Sequence, residues 1–439
     1  MKHATSILFW LIQLLGLCAS LIGYLPTWKY GGLWWLAILA LPTWWAFRFL
    51  ANGLTQKRWQ FLPTTPFDLP IALLFVMVCV SMFVTYDLQQ SFGKVLNMFF
   101  CLHWYYFVVN LAENRWAGRI AVSGLLSALL GFTMLGILLY APWQIANTFP
   151  QLQALDSQLN PNELAGTMVW VIPLLVALAI AAGLAPLQAG KRLRWQWFAP
   201  FISIISLATF ALASGVLYWT RSRSAWIGMV IGLAFMALWW FAHKFRWWSL
   251  GLPLLLAIGA LVFTVMGGLQ PLLGEANQAG GVAIGELAPN QSLEGRLELW
   301  SRGIYAIEDF PLTGMGMNTF RKLVHILYPV FSYAPTQDFG HAHNLFIQVG
   351  VDLGLPGLIA YLAIGFGCVW LCWQVWQKKG NFWGRWVVLG LLAGLVAHAG
   401  FGMTDAVALG AKPGFIGWWV VGMLVLTSTT NPSSILGNQ

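Results

Sequence analysis

Charged residues are scarce in this sequence. Asp, Glu, Lys and Arg make up 8% of its 439 residues, and 59% are hydrophobic, whereas a soluble domain usually carries about 25% charged residues. This scarcity excludes an ordinary soluble enzyme and predicts a polytopic membrane protein. The basic residues stand in short clusters between apolar runs, which is typical of orientation signals rather than of a nucleic-acid surface. We therefore expect the lipid bilayer, and no nucleic acid, as a partner.

Cysteine is also rare, and no carboxylate-rich metal motif is present. All five cysteines fall inside apolar runs, which argues against disulfides, and none has the Cys/His spacing of a metal site. The sequence therefore predicts that the protein needs no metal and no cofactor.

Long apolar runs, by contrast, are abundant. About 20 apolar residues cross a bilayer as a helix, which predicts an all-α membrane protein with about twelve transmembrane helices. The predicted spans are residues 7–25, 30–50, 69–86, 92–112, 118–141, 164–185, 198–219, 224–242, 249–267, 343–376, 384–402 and 413–428. The first, Ile7–Leu25, is expected to be retained rather than cleaved. The tenth is too long for one straight crossing, and Gly354–Gly357 is expected to break it into a short, partly re-entrant helix and a full span.

The distribution of basic residues predicts the orientation. With the N-terminus in the cytoplasm, 14 of the 23 basic residues lie on the cytoplasmic side, which favours two cytoplasmic termini. A large periplasmic loop then joins spans nine and ten. This divides the chain into a bundle of nine spans (1–267), the loop (268–342), and three spans with a short cytoplasmic tail (343–439).

The large loop is predicted to be partly helical. Apolar residues from Leu293 to Ile307 repeat at helical spacing, and Asp309-Phe310-Pro311 ends that pattern. A turn at Gly314-Met315-Gly316 and a short helix over about 318–327 follow. In a smaller outer loop, Asn160-Pro161-Asn162-Glu163 is a turn and helix-cap signal before the sixth span.

Arginines on the outer side oppose the orientation rule and require another reason. Arg221 and Arg223 lie in the very short link between spans seven and eight, where they could form a forked anion clamp or reach lipid phosphates. Arg296 has no acid one turn away, so it is either a further anion ligand or a cation–π partner of Trp300. Arg302 is explained by pairing with Glu298.

Histidines complete the group of candidates. His341, His343 and Asn344 stand where the polar loop meets the tenth span, and histidine is suited to accept a proton near neutral pH. Asp352 lies too far along the same helix to orient His343, so we expect it to cap or pair elsewhere.

At the end of the eleventh span, a structural hydrogen bond between His398 and Asp405 is favoured. Together these residues suit a reaction in which a diphosphate leaves and a hydroxyl attacks.

These motifs, taken in order, resemble the O-antigen ligase and polymerase superfamily. His343-Asn344, nine residues and Gly354-Leu355-Pro356-Gly357 match its His-Asn…Gly-x-x-Gly signature. Ser222–Ala225 and the run from Gly295-Arg296 through Trp300 to Pro311–Gly316 match two further elements. The Asn-Pro-Asn turn that includes Asn162 is also similar.

The resemblance implies a metal-independent, inverting glycosyltransferase in the bacterial inner membrane, with its active site facing the periplasm or cell exterior. It implies an undecaprenyl-diphosphate-linked glycan donor, a glycan, lipid or protein acceptor, diphosphate binding by Arg223 and Arg296, and His343 as catalytic base. Arg221 lies outside the shared motif.

Two alternatives stay open. A polysaccharide polymerase of the same superfamily would use the same site. A bicarbonate transporter is the other, because a branch of the superfamily that is similar around Leu395–Pro413 carries that label. Transporters, however, place polar sites near the bilayer midplane and often have internal repeats, and this sequence shows neither.

Overall fold

The computed structural model describes residues 45–46, 49–50, 53–54, 62–111, 117–140, 160–187, 198–244, 293–333, 337–378 and 382–429. Within these ranges the chain is helical and contains no strand. The α-helices are α1 (Asp68–Val84), α2 (Leu88–Asn110), α3 (Ala117–Tyr140), α4 (Pro161–Met168), α5 (Ile172–Leu184), α6 (Ala199–Trp219), α7 (Arg223–Lys244), α8 (Leu293–Asp309), α9 (Phe320–Leu327), α10 (Leu345–Gln377), α11 (Phe382–Gly402) and α12 (Phe415–Thr429). Short 3-10 helices cover Ala185–Leu187 and Lys412–Gly414.

Six helical segments in the described ranges are long and apolar enough to cross a membrane. They are Ala121–Tyr140, Pro161–Leu184, Ala199–Trp219, Arg223–His243, Leu345–Gln377 and Phe382–Gly402. The predicted spans 7–25 and 249–267 lie outside the described residues, as does nearly all of 30–50. The all-α membrane architecture is therefore confirmed, and the number twelve and the loop arrangement stay predictions.

Helix α11 occupies the centre of the bundle. It packs against α5, α7, α10 and α12, and α12 in turn packs against α2 and α3. Side chains along α11 are buried over most of its length, because it has helical neighbours on several sides. Helix α10 lies beside α1 and α11, and it also contacts α8. The segment 293–333, which contains α8 and α9 and which we call the platform, is thereby attached to the start of α10.

The platform forms where the sequence predicts it. Helix α8 runs from Leu293 to Asp309, Gly314 and Gly316 have the positive φ angles of a turn, and α9 begins at Phe320, two residues later than expected. The apolar residues that gave the helical pattern do not all face inward, since Leu297 and Ile304 are exposed.

Helix α10 is broken at Gly354, which has φ 68° and ψ −177°. In a regular helix the N–H of Leu355 would donate to the carbonyl of Val351. Here the platform turn enters the break, and its backbone forms hydrogen bonds with both the N–H of Leu355 and the carbonyl of Val351. Met315 N–H donates to Val351 O at 2.7 Å, and Leu355 N–H donates to Pro311 O at 2.7 Å. The Pro-Leu-x-Gly-x-Gly and Gly-x-x-Gly motifs are thus two halves of one backbone contact.

Glycine is required on both sides of this contact. A Cβ at Gly354 would lie 2.8 Å from the carbonyl oxygen of Pro311, and a Cβ at Gly314 would lie 2.6 Å from the nitrogen of Gly354. The backbone conformation of Gly354 is also one that residues with a Cβ rarely adopt.

We expect Gly354→Ala to lower the stability of the protein by about 1–3 kcal/mol from backbone strain, with a further loss from the collision with the platform. Gly365→Ala on the same helix is the matched control, because a Cβ there meets nothing within 4 Å. The measurement is the melting temperature of both variants in detergent. Equal melting temperatures would contradict the proposed need for glycine at 354.

Candidate active site at the platform end of the bundle

Three side chains form a compact cluster beside the platform. The Nδ1 of His343 lies 3.3 Å from Oδ1 of Asp405, and the Nε2 of His341 lies 3.6 Å from the same oxygen. Both histidines belong to residues 340–344, which we call the histidine loop, and this loop leads directly into α10. Asp405 follows the end of α11, and its side chain is 3% exposed. The cluster therefore joins the starting end of α10 to the finishing end of α11.

The histidine loop is held in a strained conformation. His343 has φ 49°, a left-handed value that non-glycine residues adopt infrequently and that often marks functional sites. Its N–H donates to Nδ1 of His341 at 3.1 Å, and its carbonyl accepts from Nε1 of Trp300 at 3.2 Å. Trp300 of α8 thus fixes the backbone of His343. This role differs from the cation–π contact with Arg296 that the sequence suggested for it.

Asn344 anchors the same loop from the other side. Its side-chain oxygen accepts from the N–H groups of Phe346 and Ile347 and caps α10. Its side-chain nitrogen donates to the carbonyl of Met403 at 3.0 Å. Asn344 therefore ties the histidine loop to the segment that carries Asp405.

The hydrogen bonds define which nitrogen of His341 carries a proton. Because Nδ1 accepts from a backbone N–H, the proton of neutral His341 must be on Nε2, on the side of Asp405. Burial and, to a smaller extent, the neighbouring His343 lower the pKa of His341 to about 3. His341 is therefore neutral near pH 7, so it can orient neighbours but does not bring a positive charge.

Asp405 stays ionised next to the two histidines. Burial by itself would raise the pKa of this carboxyl, but the contacts with His343 and His341 outweigh burial and hold the pKa below its ordinary value. An anionic Asp405 favours a proton on Nδ1 of His343, which leaves Nε2 as the basic nitrogen. It also stabilises the imidazolium that forms when Nε2 takes a proton.

Arg296 brings positive charge to the cluster. Its Nε is buried and has no hydrogen-bond partner among the residues that the structure describes. Burial lowers the pKa of this guanidinium from its ordinary value, with Asp405 opposing and Arg223 adding to that effect, but an arginine stays charged at any physiological pH. A buried N–H group without a hydrogen-bond partner is costly, so the position is suited to an anion that arrives with the substrate.

Arg223 lies within electrostatic range of Arg296. It is the first residue of α7 and is exposed. The next residue, Ser224, accepts a hydrogen bond from Thr404 at 2.9 Å, which connects the start of α7 to the segment of Asp405. The structure thus brings together Arg223, Arg296 and the histidine cluster. Arg221 is exposed in a turn with φ 54°, and the structure gives it no contact with the cluster in the described ranges.

The His341–His343–Asp405 cluster also has the donor set of a metal site. One ligand atom from each residue lies within 4.8 Å of the others, and no other such group occurs in the described part of the chain. Two features disfavour a cation. The Nε2 of His341 carries a proton, and the guanidinium of Arg296 lies within electrostatic range of His341 and Asp405. For the glycan transfer that the sequence resemblance implies, we therefore expect EDTA to leave the rate unchanged, measured with and without added Zn²⁺ or Mg²⁺. Loss of transfer in EDTA, restored by one of these ions, would instead assign the cluster to a metal.

Other predicted residues lie apart from the cluster. Asp352 accepts from the N–H of Asn318 at 3.2 Å and from Gln348 at 2.9 Å, so it supports the platform turn rather than His343. Asn162 is half-buried near the start of α4, where its N–H donates to the side chain of Asn160.

The expected pairing of His398 with Asp405 is wrong. Nδ1 of His398 lies 3.0 Å from the carbonyl of Gly166, and its ring stacks on Trp170 with centroids 3.9 Å apart. His398 lies within α11 and faces α4 and α5, whereas Asp405 lies beyond the helix end and faces the histidine loop. Their closeness in sequence misled the prediction, and no local pattern links Asp405 to His343.

The low pKa of His341 predicts a pH-dependent stability. Between the ordinary histidine value of 6.5 and about 3, the unfolded state binds a proton that the folded state does not. The contribution of His341 to the free energy of unfolding is therefore fully present above pH 6.5. It decreases as the pH falls below 6.5, by at most about 1.4 kcal/mol per pH unit. His341→Asn, which keeps a side-chain acceptor, should give a flatter dependence of melting temperature between pH 7 and 4.5. Identical slopes would refute this assignment.

Comparison with known proteins agrees with the geometry. The family model described as O-antigen ligase matches residues 208–362, which contain Arg223, Arg296, the histidine loop and the break at Gly354. The resemblance seen in the sequence is confirmed for this segment. The chain is also 25% identical over 167 residues to an uncharacterized protein of Haemophilus influenzae, a stretch that covers 37% of this chain and 40% of that relative. The chain thus spans about two fifths of the length of that relative.

Proposed function

We propose, on the premise that residues 208–362 form an O-antigen ligase family domain, that this multi-pass membrane protein is an inverting glycosyltransferase. It transfers a glycan from an undecaprenyl-diphosphate carrier to an acceptor hydroxyl of a glycan, lipid or protein. The reaction takes place at the outer face of the bacterial inner membrane and uses no metal.

The observation that carries this proposal is the buried Nε of Arg296, which has no hydrogen-bond partner in the described residues and lies near a histidine–carboxylate pair. A diphosphate oxygen supplies the partner that the buried Nε of Arg296 lacks, and Arg223 adds a second guanidinium within electrostatic range. Charge-assisted hydrogen bonds from arginine to phosphate are short and strong, and the planar fork fixes the orientation of the phosphate. A neutral sugar alone would bring no negative charge to these two guanidinium groups.

The chemistry follows from these positions. The acceptor hydroxyl donates its proton to Nε2 of His343 as its oxygen attacks the anomeric carbon. The bond between that carbon and the diphosphate oxygen breaks, and the leaving undecaprenyl diphosphate keeps the bonding electrons. Arg223 and Arg296 stabilise the negative charge that grows on the leaving group, and Asp405 stabilises the protonated imidazole. Attack opposite the leaving group inverts the configuration at the anomeric carbon.

The orientation follows from the basic residues. Lys378 and Arg385 lie at the ends of α10 and α11 that are remote from the histidine loop, where they donate to the carbonyls of Ser428 and Lys378. Assigning that end to the cytoplasm by the positive-inside rule places the cluster on the periplasmic side. Lipid-linked glycans reach the site there.

The test is transfer by the purified full chain in liposomes. Lipid-linked glycan and envelope acceptors are extracted from a strain that lacks the gene, and the product linkage is determined by NMR. We expect loss of lipid-linked glycan, gain of a glycosylated acceptor and inversion at the new bond. No consumption of the lipid-linked glycan would refute the proposal, and a ladder of repeat units would identify a polymerase rather than a ligase.

A further inference from the structure

Lys94 is a half-buried lysine on α2 that the proposed mechanism does not use. In the described ranges it has no ion pair and no side-chain hydrogen bond. The nearby Lys322, in contrast, lies at the surface and donates to Asp87 at 2.7 Å. A lysine that is largely removed from water normally pairs with an acid or binds a ligand.

The backbone around Lys94 places it next to the platform. Ser91 donates its hydroxyl proton to the carbonyl of Met317 at 2.7 Å, and the side chain of Asn318 donates to the carbonyl of Gln90 at 3.3 Å. Lys94 follows these two α2 residues by three and four positions, so it lies one turn further along the same helix face.

The segment that follows Asp405 encloses Lys94 from another side. Gly410 has φ 71°, and its Cα lies so close to the carbonyl of Lys94 that a Cβ would collide with it. The 3-10 helix Lys412–Gly414 then packs against both α2 and α4. Lys94 is therefore located between the platform, the Asp405 segment and the start of α4.

The charges around Lys94 differ from those around the arginines. Lys94 interacts electrostatically with Glu163 and Asp352, and also with His341. The charged groups with the largest effect on Arg296 are instead Asp405 and Arg223. Of the two cations that act on His341, Lys94 has the larger effect and Arg296 the smaller, so Lys94 lies on the His341 flank of the cluster, whereas Arg296 also acts on Asp405.

Glu163 carries the charge opposite to that of Lys94 but forms no direct ion pair with it. It lies in the first turn of α4, it is half-buried, and no ion pair joins the two side chains within 4 Å in the described part of the chain. Asp352 is already engaged by Gln348 and Asn318. An ammonium and a carboxylate that lie near each other without direct contact can be bridged by sugar hydroxyls, which both donate and accept hydrogen bonds.

We propose that Lys94 and Glu163 form the subsite for the acceptor saccharide, on the His341 flank of the catalytic cluster. This inference rests on the proposed function. The ammonium of Lys94 donates to hydroxyl oxygens of the acceptor, and the carboxylate of Glu163 accepts from its hydroxyl groups. The two contacts position the attacking hydroxyl near Nε2 of His343. The Asn160–Glu163 motif has no role in the proposed diphosphate binding. In this subsite it supplies Glu163 for acceptor binding.

The experiment separates the two substrates. In the liposome assay, the concentrations of extracted lipid-linked glycan and of envelope acceptor are varied independently for wild type, Lys94→Met, Glu163→Gln and Lys322→Met. We expect Lys94→Met and Glu163→Gln to raise the apparent KM for the acceptor about 10- to 100-fold, the effect of losing one hydrogen bond to a charged group. The KM for the donor should stay near the wild-type value, and Lys322→Met should change neither.

Each outcome decides the inference. A rise in the donor KM, an equal rise in both KM values or no change in either would overturn it. If Lys94 only balanced the charge of Asp352, Lys94→Met would lower the melting temperature without a selective acceptor effect. Where Lys94→Met does not fold, Glu163→Gln gives the same decision. A wild-type protein without transfer would instead refute the proposed function itself.

Discussion

Replacing His343 with alanine is expected to lower the rate of glycan transfer about 10²–10⁴-fold, the usual contribution of a positioned general base. The hydroxyl would then have to lose its proton to water, and Asp405 lies on the Nδ1 side of the ring, remote from the acceptor. Binding of undecaprenyl diphosphate should change little, because His343 contacts the attacking group rather than the leaving group. The measurement is single-turnover transfer with saturating donor, together with binding of undecaprenyl diphosphate followed by tryptophan fluorescence.

A second histidine variant serves as the control. His243 is exposed near the other end of α7, about 30 Å along the helix from Arg223 by its rise per residue, so His243→Ala should transfer at the wild-type rate. His343→Gln, which keeps a polar side chain but is no base, should be as slow as His343→Ala. Transfer at the wild-type rate by either His343 variant would remove the base from the mechanism.

Replacing Arg296 with methionine is expected to reduce transfer about 10²–10³-fold, as removal of one preorganised group that stabilises developing charge does in other enzymes. Methionine keeps much of the apolar stem and removes the charge. The loss should include weaker binding of undecaprenyl diphosphate, because the diphosphate is present in both ground and transition states. Arg296→Lys should recover part of the activity, since the charge returns without the planar fork.

Arg302→Met is the matched control for Arg296. Both arginines lie on α8, but Arg302 already pairs with Glu298 at 3.4 Å and donates to the carbonyl of Pro329 at 2.8 Å. Its loss should lower the melting temperature slightly and leave diphosphate binding intact. If Arg302→Met reduced diphosphate binding as strongly as Arg296→Met, a general disturbance of the platform would explain both results.

Arg223 is the other arginine of the site. Arg223→Ala is expected to weaken diphosphate binding in the same direction as Arg296→Met. Because the two side chains would hold one diphosphate, their effects should be less than additive in the double variant. The same binding measurement tests this, and full retention of transfer in both Arg223→Ala and His343→Ala would end the glycosyltransferase interpretation.

Local signals predicted much of the platform. The Asp309-Phe310-Pro311 stop, the glycine turn and the Gly354 break are each specified by a few adjacent residues, and each is found where it was expected. The pairing of Arg302 with Glu298 is likewise a property of one helical turn. Such features need no knowledge of the tertiary structure, because the residues that determine them are neighbours in the chain.

Contacts between distant segments were not predictable in this way. The exchange of hydrogen bonds between the platform turn and the α10 break depends on how two segments dock, although both motifs were recognised separately. Asp405 was assigned to His398, seven residues before it, because nothing local indicates its contact with His343, 62 residues before it. Lys94 carried one usable signal, a basic residue on the side where the orientation rule expects few.

The most direct measurement is an experimental structure of the protein in lipid nanodiscs with undecaprenyl diphosphate bound. The account predicts phosphate oxygens about 3 Å from guanidinium nitrogens of Arg223 and Arg296, with Nε2 of His343 open toward the space where the sugar would continue. A diphosphate bound elsewhere on the protein, with both arginines directed toward lipid and away from His343, would contradict it.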